Sequence, residues 1–129
     1  EVHVKNELAA NIEHAFVLMS NEIREAQSVY VPTSAFGSSP GQLSLQTRNN
    51  APAGETSTYI DFFLCGTRLC VKRESQLPLA LTSEKIEIQN LEFALVQTGS
   101  ARSIHIVLGA VYRPAFQEMQ TTISLRTYE

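Results

Sequence analysis

The sequence predicts an α+β fold in which one long N-terminal helix packs on an antiparallel β-sheet. Three observations support this prediction. Apolar residues recur with a helical period over residues 1–30, they recur with a period of two over most of residues 31–129, and glycine and proline mark the turns between these segments. No internal repeat or low-complexity tract divides the chain. We therefore expect one domain, 1–129, with a helical part (1–30) and a β-rich part (31–129).

The helix is predicted over about residues 4–30. At 100° per residue its apolar side chains fall within one stripe about 100° wide, which is typical of a helix that faces a core. Val31 precedes Pro32, and a residue before proline is disfavoured in the helical conformation, so the helix should end there. The stripe comprises Leu8, Ile12, Ala15, Phe16, Met19, Ile23, Ala26 and Tyr30.

Six segments after the helix alternate apolar and polar residues and are predicted as strands. The last two should form an antiparallel pair, because a short turn around residues 114–117 separates them. Residues 76–85 are predicted to be a connector. The six segments are residues 42–47, 57–65, 68–74, 86–98, 102–113 and 118–128.

A hairpin is predicted around Gly66 and Thr67, a pair that suits a two-residue type II′ turn with glycine first. This turn places Cys65 and Cys70 on one face but on a diagonal, where Cα atoms are about 7 to 8 Å apart, near the limit for a disulfide. A four-residue loop would instead place the two cysteines directly opposite each other. The sequence therefore leaves two alternatives, a disulfide or two packed thiols.

The charge pattern argues against nucleic acid as a partner. The net charge is −3, and the seven arginines and three lysines are scattered along the chain, so they form no basic stripe for a phosphate backbone. A zinc site is not expected, because the histidines at positions 3, 14 and 105 lie far from the two cysteines. Asp61 is the only aspartate, which disfavours a calcium site. No apolar run approaches the roughly 20 residues that span a membrane.

Ser39 lies at the centre of GSSPG, residues 37–41, which matches the G-x-S-x-G pattern of a nucleophilic serine. That motif requires a strand before it and a helix after it, whereas here a loop precedes and a strand follows. A turn-rich surface loop is the better interpretation. The remaining candidates for acid or base chemistry have no partner in a suitable spacing, so we expect no catalytic residue, no cofactor and no enzyme. These candidates are His14, His105, Glu84 and Glu87.

Several segments together resemble the globular part of bacterial type IV pilin-like proteins, in particular minor pilins and the minor pseudopilins of type II secretion. The helix contributes LMSNEIREAQSVYVPTS, and the β-rich part contributes YIDFFL, RLCVKRES, LPLALTSEKIEIQNLEFAL and TTISLR. In that family an apolar segment of about 20 residues, with a glutamate near its start, precedes this part of the helix. We expect residues 1–30 to be the remaining half of such a helix.

The resemblance implies a structural subunit that is anchored in the membrane by the preceding apolar segment, lies on the cell surface or periplasmic side, and assembles with other pilin or pseudopilin subunits. Side-by-side helices in a filament need a second apolar surface beyond the stripe that faces the subunit's own sheet. Ala10, Val17 and Leu18 are the candidates for this assembly face. The alternative is a free extracellular binding or adhesion module whose sheet or loops hold a partner.

Overall fold

A computed structural model of the chain describes residues 2–48, 51, 53–74 and 76–126. Residues 127 and 128 of the last predicted strand, and residue 1 of the predicted helical part, lie outside the described residues. One α-helix is followed by a short 3₁₀ turn, Val31–Thr33, and by strands of two to twelve residues. The elements are α1 Val2–Glu25, β1 Ala26–Val29, β2 Leu43–Thr47, β3 Thr58–Cys65, β4 Arg68–Arg73, β5 Leu79–Ala80, β6 Glu87–Thr98, β7 Ala101–Tyr112 and β8 Ala115–Ser124.

The strands form two antiparallel sheets, and the expectation of one sheet was wrong. The first sheet has five strands in the order β1-β2-β3-β4-β5, and the second has three in the order β6-β7-β8. The helix packs on β7 and β8 of the three-stranded sheet and also contacts β2 of the five-stranded sheet. The α+β class with one helix on antiparallel strands is therefore confirmed.

The apolar stripe of the helix is buried as predicted. Leu8, Ile12, Ala15, Met19 and Ile23 are at most 1% exposed, and Phe16 is 6% exposed. The buried apolar residues that the structure describes form one core cluster, in which this stripe meets the inner faces of both sheets. Phe62 of β3 and Phe93 of β6 are the largest side chains that the sheets contribute to it.

The end of the helix was predicted too late. The helix ends at Glu25, and residues Ala26–Val29 form β1, which pairs antiparallel with β2. Ala26 and Val29 are buried, as a helix would also require, but they lie opposite Thr47 and Leu45 in an antiparallel ladder with β2. Tyr30, which was assigned to the buried stripe, is 36% exposed and lies beyond the strand.

The predicted hairpin is confirmed. Cys65 pairs with Arg68, and Gly66 and Thr67 form the turn between β3 and β4. Gly66 has a φ of +65° while Thr67 does not have a positive φ, which is the combination expected for a type II′ turn. The predicted antiparallel pairing of the last two segments is also confirmed, since all ten residues of β8 pair with residues 103–112 of β7. The predicted connector contains one short strand, β5.

Candidate assembly surface

Ala10 and Val17 lie on the side of α1 that faces away from the core. They are seven residues apart, which is two helical turns, so they lie along one line on the helix surface. Ala10 is exposed, and the side chain of Val17 is 56% exposed. These two candidates therefore share a solvent-exposed face of the helix.

Leu18 lies about 100° around the helix from Val17 and is half-buried. It lines a groove of about 180 Å³ between α1 and the five-stranded sheet. The structure therefore separates Leu18 from the face that carries Ala10 and Val17. The groove is lined by Leu18, Glu22, Ile60, Phe62, Val71, Arg73, Leu79 and Leu81.

A charged pair forms part of that groove. The guanidinium of Arg73 on β4 donates a 2.7 Å hydrogen bond to the carboxylate of Glu22 on α1. The second carboxylate oxygen of Glu22 and the other terminal nitrogen of Arg73 are buried and have no hydrogen-bond partner among the described residues. The contact thus joins the helix to the five-stranded sheet through one hydrogen bond.

On the opposite flank of the helix, a second groove of about 230 Å³ separates α1 from β8. Val17 and Arg24 lie on its helical side, and Met119 and Thr121 of β8 lie on its other side. Val17 therefore borders a concave surface and is not an isolated exposed side chain.

Cys65 and Cys70 form a disulfide, which decides between the two alternatives left by the sequence. The two-residue turn and the diagonal placement were predicted correctly, but the distance was not, because the Cα atoms are 5.9 Å apart. Adjacent strands of a sheet twist relative to each other, and this twist shortens one of the two diagonals between them. A separation of 5.9 Å lies within the usual range for a disulfide.

The loop that contains Ser39 packs against β6. The Ser39 hydroxyl accepts a hydrogen bond from the backbone N–H of Leu91, at 3.3 Å. The backbone N–H groups of Gly37 and Gly41 donate to the carbonyls of Phe93 and Leu91. Ser39 precedes the extended pairing of β2, with no helix after it, so the context of a nucleophilic serine is not present at this position.

The remaining candidates for acid or base chemistry do not converge on one site. His14, Glu84 and Glu87 are exposed on separate elements. His105 on β7 contacts two side chains of β8, with Nδ1 2.7 Å from Thr122 Oγ1 and Nε2 3.3 Å from Gln120 Oε1. Within the described residues, no group of three or more His, Cys, Asp or Glu side chains is arranged to hold a metal ion.

Three of the large apolar side chains in the described residues are more exposed than Val17, and none of them is a predicted site residue. Leu77 is 89% exposed, and Leu79, which lines the same groove as Leu18, is 66% exposed. Phe116 is 61% exposed at the start of β8. The alternation of β8 identifies Phe116, because it has the same parity as Glu118 and Gln120 and therefore faces solvent. Leu77 precedes β5 and Leu79 begins this two-residue strand, which is too short for alternation to indicate the exposed face.

None of the helices in the described part of the chain is both long and apolar enough to cross a bilayer. A disulfide is compatible with a periplasmic or extracellular location, where thiols oxidise. Comparison of the chain with protein-family models, with curated proteins and with solved structures finds no match.

Proposed function

We propose that this chain is the globular domain of a structural subunit, a minor pilin or pseudopilin, of a bacterial type IV pilus or type II secretion filament. The observation that carries this proposal is the exposed apolar face of α1. Val17 is 56% exposed on the side of the helix opposite the buried stripe, and Ala10 lies in line with it. A helix that packs in a filament needs such a second face.

The side chains of Ala10 and Val17 suit close packing of one helix against another. Helices that pack side by side approach to about 8 to 10 Å, which favours small or β-branched side chains at the contact. Ala10 and Val17 fit this requirement, whereas Leu18 is directed to the domain's own five-stranded sheet. We therefore restrict the proposed assembly face to Ala10 and Val17.

The proposed location follows from the disulfide and from the family resemblance. The Cys65–Cys70 bond fits the periplasm or the cell surface, where a filament subunit would fold. In this proposal an apolar segment anchors the subunit in the membrane before assembly, and other pilin or pseudopilin subunits are its partners. Catalysis is not part of the role.

A free extracellular binding or adhesion module is the second candidate. The exposed Leu79 favours it, because this side chain lines a mainly apolar groove that a partner could cover, and the exposed Leu77 is two residues away in the chain. The two candidates predict different contacts, since the filament subunit uses the outward face of α1 and the binding module uses the rim of the groove near β5.

Photo-crosslinking in bacteria that produce the full-length protein tests the proposal. A photoreactive phenylalanine analogue placed at Val17 should form adducts with other filament subunits, and these adducts should be lost when the prepilin peptidase is deleted. The same analogue at Val96, which is 43% exposed on β6, is the matched control and should form none. Adducts at Leu77 but not at Val17, or a cleaved secretory signal directly upstream of Glu1, would overturn the filament role in favour of the binding module.

A further inference from the structure

β8 has the longest unprotected outer edge of the two sheets. Each sheet has two outer strands, and in the described part of the chain three of these four edges are short or covered. β1 has four residues and β5 has two. The outer edge of β6 receives hydrogen bonds from Gly37 and Gly41. β8 has ten residues, about 34 Å at 3.4 Å per residue, and no described segment bonds to its outer backbone groups.

The register identifies which backbone groups of β8 point outward. The N–H of Leu125 donates to the carbonyl of Arg102, so these two residues form a hydrogen-bonded pair of the ladder. Hydrogen-bonded pairs recur at every second residue of an antiparallel ladder, and odd-numbered residues of β8 therefore bond to β7. The even-numbered residues direct their N–H and C=O groups away from the sheet. They are Phe116, Glu118, Gln120, Thr122 and Ser124.

The side chains on this edge do not block it. Proteins usually protect long edges with lysine, proline, a bulge or several charges. Residues Ala115–Ser124 contain neither lysine nor proline, and Glu118 is their only charged residue. The pairing of β8 with β7 has no bulge. The edge is therefore chemically suited to pair with another strand.

We infer that β8 is a self-association surface through which two copies of this chain pair edge to edge, forming one six-stranded antiparallel sheet. The inference goes beyond the proposed function and does not depend on it, because the isolated chain alone would make this contact. An arrangement with twofold symmetry centred on Gln120 aligns residues 116–124 of the two strands, nine of the ten residues of β8. It places Glu118 opposite Thr122 of the second copy, so the two Glu118 carboxylates lie about 14 Å apart, beyond the screening length in physiological salt.

The position of the helix supports a second copy as the occupant. Two β8 strands in one sheet lie about 4.8 Å apart, and α1 contacts both β7 and β8. A helix axis above the space between these strands would then lie about 10 Å from its symmetry mate, which is a normal packing distance for helices. The groove that Val17 borders faces this position. One interface would thus cover both the open edge and the concave flank of the helix.

Charge substitutions at the symmetry centre test the pairing. Sedimentation of the purified chain should show a monomer–dimer equilibrium at concentrations up to about 100 µM. Gln120→Lys places like charges directly opposite each other and should raise the dimer dissociation constant at least tenfold, as should Gln120→Glu. An equimolar mixture of the two variants should recover dimers. Gln97→Lys, the same change at an exposed position of β6, is the matched control and should leave dimerisation unchanged.

Amide hydrogen exchange distinguishes β8 pairing from unfolding, because pairing protects specific amides of β8 whereas unfolding exposes them. On raising the protein concentration, the amides of Glu118, Gln120 and Thr122 should become protected, while those of Met119 and Thr121 should be protected at every concentration. A chain that stays monomeric would overturn the proposal and leave this edge to a strand from a different protein. Dimers that survive both Gln120 variants would place the contact elsewhere and would also overturn it. Because the β8 interface would also cover the flank that Val17 borders, crosslinking at Val17 is repeated with Gln120→Lys, and adducts that persist in this variant come from filament contacts and not from β8 pairing.

Discussion

Glu22 on α1 and Arg73 on β4 are joined by a 2.7 Å ion pair that links the helix to the five-stranded sheet. The side chain of Glu22 is 15% exposed and that of Arg73 is 29% exposed, so water screens the pair only partly. The helix has its main packing surface on the other sheet. This pair is therefore one of the polar contacts that fix the two sheets relative to each other.

A double-mutant cycle with Glu22→Gln and Arg73→Gln should give a coupling free energy of about 1 kcal/mol, at the upper end of the range for exposed pairs, because both groups are mostly buried. Urea unfolding measures the four free energies. The Glu25–Arg126 pair, with side chains 49% and 61% exposed, is the control and should couple by less. Equal coupling of the two pairs would contradict the role assigned to Glu22 and Arg73.

Met19→Ala should lower the free energy of unfolding by about 2 to 5 kcal/mol, because Met19 is fully buried between the helix and the sheets and its removal leaves a cavity. Val17→Ala on the opposite face of the same helix is the control and should change stability by no more than about 0.5 kcal/mol. Urea unfolding monitored by circular dichroism measures both. Similar losses for the two variants would mean that the orientation of α1 described above is wrong.

The Cys65–Cys70 disulfide closes a loop of six residues, and restricting so short a loop in the unfolded chain stabilises the fold by about 2 kcal/mol. Replacing both cysteines with serine should therefore lower the free energy of unfolding by about that amount. Alkylation of the unreduced, denatured protein followed by mass spectrometry should show no labelled cysteine, and two labels after reduction. Two labels without reduction would show that the thiols are free.

Gly41→Ala should destabilise the chain by about 1 to 3 kcal/mol. A Cβ atom at this position would lie 2.9 Å from the carbonyl oxygen of Ala35 and 3.3 Å from the ring of Phe93, so the loop that covers β6 would have to move. Ser38→Ala, an exposed change in the same loop, is the control and should be nearly neutral. Thermal unfolding distinguishes the two, and a neutral Gly41→Ala would show that the loop is not held against β6.

Val17→Glu should leave the stability of the isolated chain within about 0.5 kcal/mol, because the side chain is exposed. In the intact filament subunit, the same change should reduce incorporation, since an unpaired charge between packed helices carries a desolvation cost on the order of several kcal/mol. Val96→Glu on β6 is the matched control. Filament incorporation of Gln120→Lys is measured in parallel, because this variant disrupts β8 pairing and leaves the face of Ala10 and Val17 unchanged. Normal incorporation of Val17→Glu would exclude this face as an assembly contact.

The periodicity of the sequence was sufficient to predict the helix, its buried face and most strands, but not the point at which the helix becomes a strand. Ala26 and Val29 are three residues apart, so they can share a helical face or flank a short bulged strand with equal ease. The first clear stop signal in the sequence is Pro32. Pairing with residues 45–47, nearly twenty positions away, decides the conformation, and no local pattern contains that information.

The candidate residues were predictable to a similar extent. Helical geometry places Ala10 and Val17 on an outward line, and the structure agrees. The sequence also places Leu18 in the candidate face, because a helical wheel gives the direction of each side chain around the helix axis. It does not show that the five-stranded sheet covers the side of the helix on which Leu18 lies. The surroundings of Leu18 depend on how the strands divide into two sheets. Alternation of apolar and polar residues identifies a strand but does not specify the strands with which it pairs. The disulfide was similarly uncertain because hairpin twist, not sequence spacing, sets the diagonal distance.

The helix passes directly into β1, with Glu25 as its last residue and Ala26 as the first residue of the strand. No flexible linker therefore absorbs displacement between the two elements. A mechanical pull along α1 would be transmitted along the backbone into the β1–β2 hydrogen bonds and then across the five-stranded sheet. The helix and the five-stranded sheet are thus joined twice, by the peptide bond between Glu25 and Ala26 and by the Arg73–Glu22 hydrogen bond, so a displacement of α1 would act on β1 and β4 together.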